Sequence, residues 1–236
     1  MSLPNLTQLS LQSQPQNLLE EWRAACGTRP DWKSWDDLSG KDKTTLLHLP
    51  AQDCSDPSDV ETAHVSVYDR VGIERVMERE QWSVEHVLPR FKVNGRDPGE
   101  AENDPLGWVE ATRTANLRRS NTPLVLWQER SGMYVRERVA IDGVEHFVPP
   151  EDQRARLARK WAFVRATYPD EVAPPSAAQR AHAADICALM KHTKPFSFEL
   201  CMNQRFRDTY NYGNPLLESD ADKWLDNPAF RSLVFS

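Results

Sequence analysis

Residues 82–90 read Trp-Ser-Val-Glu-His-Val-Leu-Pro-Arg, and the rest of the chain is organised around this stretch. Apolar residues on both sides of a central Glu-His pair, closed by a proline, predict a short strand. The pair is Glu85 and His86, a carboxylate beside an imidazole. Adjacent residues of a regular strand point to opposite faces, so the two can serve one site only where the strand ends or twists.

A second polar segment follows, in which residues 116–124 read Asn-Leu-Arg-Arg-Ser-Asn-Thr-Pro-Leu. Carboxylate and carboxamide oxygens, here Glu85 and Asn121, are ligands that Mg²⁺ accepts while it keeps several of its waters. A neutral imidazole such as His86 can take the proton from an attacking water, and arginines can bind phosphate by paired hydrogen bonds. These residue types suit phosphodiester hydrolysis, although an isolated Glu-His pair is more often a surface feature.

Further landmarks lie between and after these two segments. An aspartate, Asp104, begins the segment that ends at Asn116. Pro149-Pro150 precede an arginine-rich stretch that continues to Tyr168, and residues 212–216 read Tyr-Gly-Asn-Pro-Leu. The order of these landmarks along the chain is more specific than any one of them.

With these landmarks, residues 82–217 resemble the endonuclease I family, secreted or periplasmic bacterial nucleases of the His-Me finger (ββα-metal) superfamily. The family carries Glu-His-Val-Val-Pro, then Asp-Leu-His-Asn-Leu leading to Asn-Gly-Asp-Arg-Ser-Asn, and later Gly-Asn-x-Asn-Pro-Phe. Two departures are present. Leu106-Gly107-Trp108 replaces His-Asn-Leu, which removes polar groups expected to brace the finger, and Leu117-Arg118 replaces Gly-Asp. The candidate carboxylate, imidazole and carboxamide are retained.

The resemblance implies an α+β fold, with a ββα-metal finger core, a β-hairpin and surrounding helices. It implies a sequence-non-specific endonuclease that hydrolyses DNA to 5′-phosphate products, with RNA as a second candidate substrate. One divalent cation is implied, Mg²⁺, for which Mn²⁺ or Ca²⁺ can substitute in binding. In this assignment His86 is the general base, and Glu85 and Asn121 are the metal ligands.

The resemblance also assigns roles to arginines. In the family a basic residue in the loop after the histidine contacts the scissile phosphate, and here Arg90 and Arg96 are the candidates. The nucleic-acid-binding candidates are Arg118, Arg119, Arg154, Arg156 and Arg159. The alternative interpretation is that these arginines are ordinary solvated charges of a loop and an amphipathic helix.

Two further alternatives concern function. A nucleic-acid-binding or inhibitory protein of the same fold could have lost turnover, and the altered 106–108 segment motivates that hypothesis. The chain could instead be the nuclease component of a virus or phage particle, or act with an inhibitor partner, because an unregulated nuclease endangers its own cytoplasm. In each case residues 1–62 are interpreted as an N-terminal extension packed on the core, and residues 63–236 as the nuclease domain.

Charge and N-terminal composition bear on partners and location. The net charge of −6 is unusual for a nucleic-acid enzyme, but residues 113–165 hold eleven Arg and Lys against six Asp and Glu. A local basic surface would then attract phosphates. Residues 1–17 lack the basic and apolar regions of a secretory signal, and no stretch approaches the ~20 apolar residues of a membrane span. We therefore expect an intracellular protein without a membrane partner.

Periodicity predicts the remaining elements. Helices are expected at 16–26, 65–80, 151–167 and 176–191, and a β-hairpin around Asp142-Gly143. The helix at 151–167 should bury one apolar stripe and expose its arginines. The four cysteines lack the Cys-x-x-Cys spacing of a zinc site and are expected to be reduced, unless export permits a Cys187–Cys201 link.

Overall fold

The structure, a computed structural model, describes residues 15–39, 42–43, 46, 67–68, 82–88, 99–128 and 137–236. Within those ranges it combines helices with two small antiparallel sheets, which confirms the α+β class. The predicted helix at 65–80 lies outside the described residues, apart from Val67 and Tyr68.

The elements have the following bounds. The strands are Trp82–His86, Trp108–Thr112, Arg138–Ile141 and Val144–Phe147. The helices are Pro15–Cys26, Gly99–Asn103, Arg113–Arg119, Glu151–Thr167, Ala177–Ala181, Ala183–His192, Ser197–Tyr210, Asp222–Leu225 and Pro228–Phe235. Short 3-10 turns occupy Trp35–Asp37, Pro105–Gly107 and Pro215–Leu217. We call Arg113–Arg119 the site helix and Glu151–Thr167 the central helix.

The first sheet leads directly into the site helix. Strand Trp82–His86 pairs antiparallel with Trp108–Thr112, so that His86 lies opposite Trp108. Thr112 ends the second strand and caps the helix, because its hydroxyl accepts a hydrogen bond from the Ala115 amide at 3.1 Å. The strand expected around the Glu-His pair is therefore confirmed, and strand, strand and helix follow in this order.

The predicted hairpin is also confirmed. Strand Arg138–Ile141 pairs with Val144–Phe147, and the turn residues have positive φ, +50° at Asp142 and +78° at Gly143. Two consecutive residues with positive φ are characteristic of the two-residue turn that matches strand twist.

The central helix is buried on nearly every side. The predicted apolar stripe, which includes Leu157 and Trp161, is in the core as expected. The expected exposed arginine face is wrong, however, because helices Pro15–Cys26, Ala183–His192 and Pro228–Phe235 also pack on the central helix. A helix without a solvated face must satisfy its arginines inside the fold.

Those arginines have internal partners. Arg156 pairs with Glu110 of the second strand at 2.6 Å, and Arg159 pairs with Glu199 at 3.0 Å. Arg154 donates to main-chain carbonyl oxygens at 3.1 and 3.2 Å. All three are buried, so in this conformation none of them presents a guanidinium group to a DNA phosphate.

The described part of the N-terminal extension belongs to the same core. Leu18, Trp22 and Cys26 of helix Pro15–Cys26 are buried, and the Trp22 ring meets the Trp224 ring edge-on at 5.0 Å. Cys26 and Cys187 are free thiols, but Cys201 is disulfide-bonded, so the expectation that all four cysteines are reduced is wrong, and the Cys187–Cys201 link is not formed either.

The segment predicted as one helix at 176–191 is two helices that meet at His182. Its start is confirmed, because Ser176 and Gln179 form a reciprocal capping box. None of the helices in the described ranges combines the length and the apolar character needed to cross a membrane.

The buried ion pair between Glu110 and Arg156 gives a stability prediction. Glu110→Gln should lower the free energy of unfolding by about 3–5 kcal/mol, because it leaves a buried guanidinium without its counter-charge. Glu145→Gln, which removes an acid from the exposed pair with Arg138, should change it by less than about 1 kcal/mol. Urea unfolding measures both. Equal effects would show that the core does not depend on the buried pair.

Lys160 of the central helix gives a pH prediction. Burial and the nearby Arg156 lower the pKa of Lys160 to about 8, while Glu110, Glu199 and Asp104 oppose the shift. In the unfolded chain the lysine holds its proton up to about pH 10.4, so between these values the unfolded state binds more protons and stability rises with pH. In the Lys160→Met variant, the increase in the free energy of unfolding over this pH range should be smaller by about 1–3 kcal/mol. Unfolding titrations at several pH values measure it. Parallel pH profiles of the two proteins would contradict this.

Candidate functional site

Glu85 and the end of the first strand are held by one guanidinium group. Arg119, at the end of the site helix, is fully buried and pairs with the Glu85 carboxylate. It also donates to the carbonyl oxygens of His86 at 3.0 Å and Val87 at 2.9 Å. Arg119 was a candidate for phosphate binding, but its guanidinium instead fixes the strand end against the helix.

Asn116 of the site helix also lies beside Glu85. Its Nδ2 donates to the Ser83 hydroxyl at 2.8 Å, and its side chain acts to lower the pKa of the neighbouring Glu85 carboxyl. Burial raises the pKa of the Glu85 carboxyl above its ordinary value, whereas Arg119 and Asn116 oppose that shift. In the part of the site that the structure describes, the Glu85 carboxylate therefore lies beside the Asn116 carboxamide.

Asn121 follows the end of the site helix. The site helix ends at Arg119, Ser120 follows with a φ of +49°, and the Asn121 side chain is exposed. Both asparagines lie in the run that resembles the family, so the motif alone does not separate them. Helical spacing does provide a signal, because Asn116 and Arg119 are three residues apart and share the face turned to Glu85.

The His86 ring is buried and oriented by a main-chain group. Its Nε2 lies 2.9 Å from the carbonyl oxygen of Glu102. A carbonyl can only accept, so Nε2 carries the hydrogen, and a neutral imidazole keeps its lone pair on Nδ1. The Trp108 indole donates to the same oxygen at 2.9 Å. Trp108, one of the departures from the family pattern, thus braces the group that orients His86.

Leu106 and Gly107, the other two residues of the altered segment, are held through their main-chain carbonyl oxygens. The Val87 amide donates to the Gly107 carbonyl at 3.0 Å, and Lys160 donates to the Leu106 carbonyl at 3.0 Å. A Cβ at position 107 would lie 2.7 Å from a methyl group of Val164. Backbone groups and a glycine therefore close the loop where the family has polar side chains.

Three landmarks from distant segments meet at Asp104. Its carboxylate accepts hydrogen bonds from the Tyr168 hydroxyl at 2.7 Å, the Tyr212 hydroxyl at 2.6 Å and the Leu106 amide at 2.9 Å. Burial raises the pKa of Asp104, and these donors oppose the shift. This buried junction fixes the loop that leads into the second strand.

The basic residues fall into three groups. Arg90 and Arg96 lie outside the described residues. Arg119 is internal, as are the four arginines of the central helix. Arg118 is about half exposed and pairs with Glu137 at 3.1 Å, and Arg113 is exposed. Of the arginines on the site helix, Arg113 and Arg118 therefore present their charge to solvent.

The donor set fits a hard cation. The oxygens of Glu85 and of a carboxamide are of the kind that Mg²⁺ takes alongside waters. Within the described ranges no group of three or more His, Cys, Asp and Glu side chains forms a denser metal cage. A carboxylate–carboxamide pair leaves coordination positions for water and substrate.

Neither a family model, nor a curated protein, nor a solved structure matches this chain.

The hydrogen bonds that Arg119 donates to Glu85 and to two carbonyl oxygens give a prediction, and the neighbouring Arg118 provides the control. Arg119→Lys should lower the free energy of unfolding by about 2–4 kcal/mol, because one ammonium cannot reproduce bonds to a carboxylate and two carbonyls. Arg118→Lys, one residue away and exposed, should change it by less than about 0.5 kcal/mol. Thermal and urea unfolding of the two variants provide the comparison. A harmless Arg119→Lys would show that the strand end is held by other contacts.

Proposed function

We propose that this protein is a divalent-metal-dependent endonuclease built on a ββα-metal finger. The observation that carries the proposal is the strand–strand–helix unit, with Glu85 and His86 at the end of its first strand. Asn116 of the helix lies beside Glu85. A carboxylate, an imidazole and a carboxamide are groups that suit metal-dependent phosphodiester hydrolysis.

His86 is the general base in this proposal. The Glu102 carbonyl accepts from Nε2, which selects the tautomer whose lone pair is on Nδ1, the atom that would take a proton from water. The same hydrogen bond stabilises the imidazolium that forms. Trp108 fixes the carbonyl, so the orientation of the ring does not depend on bound substrate.

Glu85 and a carboxamide would hold the cation, with Mg²⁺ as the physiological choice and Mn²⁺ or Ca²⁺ able to bind. Asn116 is the carboxamide beside Glu85, and Asn121 remains the competing candidate. When bound, the cation would act as a Lewis acid that stabilises negative charge on the phosphate. Arg119 orients the Glu85 carboxylate in advance of binding.

The proposed substrate is DNA, cut without sequence specificity to 5′-phosphate ends, and RNA is the second candidate. Arg118 would contact phosphates from the surface, and Arg90 and Arg96 remain candidates for the scissile phosphate. Phosphate contacts of this kind give salt-dependent affinity without reading base sequence.

A protein of the same fold that binds nucleic acid without turnover is the second candidate. The Arg119–Glu85 ion pair favours it, because a guanidinium already compensates the carboxylate that a metal would need. Nicking of supercoiled plasmid in Mg²⁺ and in excess chelator separates the two candidates. Chelator-sensitive nicking supports the enzyme, and binding without nicking supports the second candidate.

The role of His86 gives one prediction. His86→Ala should lower the cleavage rate by about 10²–10⁴, the usual cost of losing a general base, with DNA affinity largely unchanged. Cleavage and equilibrium binding of the purified variant are measured on one duplex. Activity near that of the wild type would remove His86 from the mechanism.

The metal ligands give another prediction, in which Asn121→Ala is the matched control for Asn116→Ala. Asn116→Ala should weaken Mg²⁺-dependent cleavage, and high Mg²⁺ should restore it more readily than it restores Glu85→Ala, because a carboxylate contributes charge and a carboxamide only a dipole. Asn121→Ala should retain its Mg²⁺ requirement. A metal titration in which Asn121→Ala fails and Asn116→Ala does not would reverse the assignment.

A further inference from the structure

A cavity of about 370 Å³ is lined by none of the residues assigned to the candidate site. Its walls come from the end of helix Pro15–Cys26 and the segment that follows it, from helix Gly99–Asn103, and from the chain after the central helix. Tyr168 and Tyr212 belong to the lining, and their hydroxyl groups donate to Asp104, so this part of the wall is fixed before any ligand enters. Small-molecule sites occupy about 300–1,000 Å³, so the cavity has room for a molecule of amino-acid size.

The charged side chains of the lining have both signs. Arg23 and Arg29 contribute two guanidinium groups, and Glu100, Asp170 and Glu171 contribute three carboxylates. Two positive groups against three negative groups give these side chains a formal charge of −1. The complementary ligand has an anionic group for the arginines and two cationic groups for the carboxylates.

Arg29 has a donor that the protein itself leaves unused. Its Nε atom is buried and meets no acceptor in the part of the chain that the structure describes. A buried donor without an acceptor is destabilising, so an incoming oxygen atom is favoured there. Nη1 of Arg29 pairs with Glu100 Oε2 at 3.1 Å, but the Glu100 side chain is 63% exposed, and such solvated pairs contribute little. A ligand carboxylate can therefore replace Glu100 at little cost.

The other charged groups divide into one that is fixed and two that are free. Glu171 is half-buried, and its Oε2 accepts a hydrogen bond from the Ala101 amide at 2.9 Å, which holds the carboxylate in place. Arg23 and Asp170 are exposed, and neither side chain forms a hydrogen bond or an ion pair with a residue that the structure describes. The cavity thus offers a held cation and a held anion, Arg29 and Glu171, with one further charge of each sign.

We propose that this cavity binds a free α-amino acid with a basic side chain, such as L-lysine or L-arginine. The α-carboxylate pairs with Arg29 and Arg23, the α-ammonium group pairs with Glu171, and the side-chain cation pairs with Asp170. A phosphate fits less well, because its negative charge adds to an excess of carboxylates. The inference is independent of the proposed nuclease function, since the cavity contains no residue assigned to cleavage.

Calorimetric titration of the full chain with L-lysine and with L-arginine tests the proposal. Three lysine analogues each lack one charge: L-lysinamide lacks the carboxylate, Nα-acetyl-L-lysine the α-ammonium group, and L-norleucine the side-chain cation. Each should bind at least about tenfold more weakly than L-lysine, because each leaves a charged partner in the cavity without its hydrogen bonds. Inorganic phosphate is the anion control and should bind more weakly than L-lysine.

Variants locate the binding. Arg23→Met and Asp170→Asn change exposed side chains and should leave the fold intact, as circular dichroism checks, while each weakens L-lysine binding about tenfold. Arg138→Met makes the same change as Arg23→Met at an arginine of the hairpin, outside the cavity, and should leave binding unchanged. Arg29→Met should abolish binding. If that variant does not fold, the analogues and the two exposed positions decide the result.

The proposal is overturned if neither amino acid binds at millimolar concentration, or if L-norleucine and L-lysinamide bind as tightly as L-lysine. Binding that Arg23→Met and Asp170→Asn leave unchanged places the ligand elsewhere and overturns the assignment to this cavity. Phosphate binding tighter than that of L-lysine overturns it in favour of an anion site. None of these results depends on plasmid nicking, so the amino-acid site and the nuclease can fail separately.

Discussion

The site depends on the hydrogen bonds that the Arg119 guanidinium group donates. One buried guanidinium joins the end of the site helix to the Glu85 carboxylate and to two carbonyl oxygens where the first strand ends. The planar group offers donors in a fixed geometry, so it sets a direction as well as a distance. Glu85 and His86 are the last two paired residues of that strand, and the hydrogen bonds from Arg119 fix the backbone at its end.

The core follows the same principle on a larger scale. The central helix buries arginines that have a carboxylate or a set of main-chain carbonyls within reach. Arg165, for example, donates to Val172 and to Ser236. Removing one member of such a pair costs more than the pair contributes, because the other charge is left buried without compensation. The cations in the core also leave the surface with less positive charge than the composition suggests, which restricts any attraction for DNA to local patches.

Much of the fold follows from sequence pattern. The Glu-His strand, the Asp142-Gly143 turn and the Ser176 cap are determined by local chemistry, and the structure has all three. Burial of Arg156 was not predictable in this way, because its partner Glu110 lies far away in sequence and a polar residue on a helix reads as solvent-facing. The sequence could not distinguish Asn116 from Asn121 for a similar reason. A motif specifies residue types but not the residue at which the helix ends. Arg90 and Arg96 lie outside the described residues, so their assignment rests on sequence alone.

The hydrogen bonds at Asp104 have a consequence for the order of synthesis. Tyr212 reaches Asp104 across 108 residues of sequence, and Tyr168 reaches it across 64. Contacts of such long range close large loops, and the entropic cost of closure must be met before the contacts stabilise the fold. On the ribosome, a chain that has not yet extended past residue 212 lacks the anchor of the loop that leads into the second strand. A nascent chain would therefore carry every residue of the candidate site well before it could hold them in place, which delays any activity until the protein is folded.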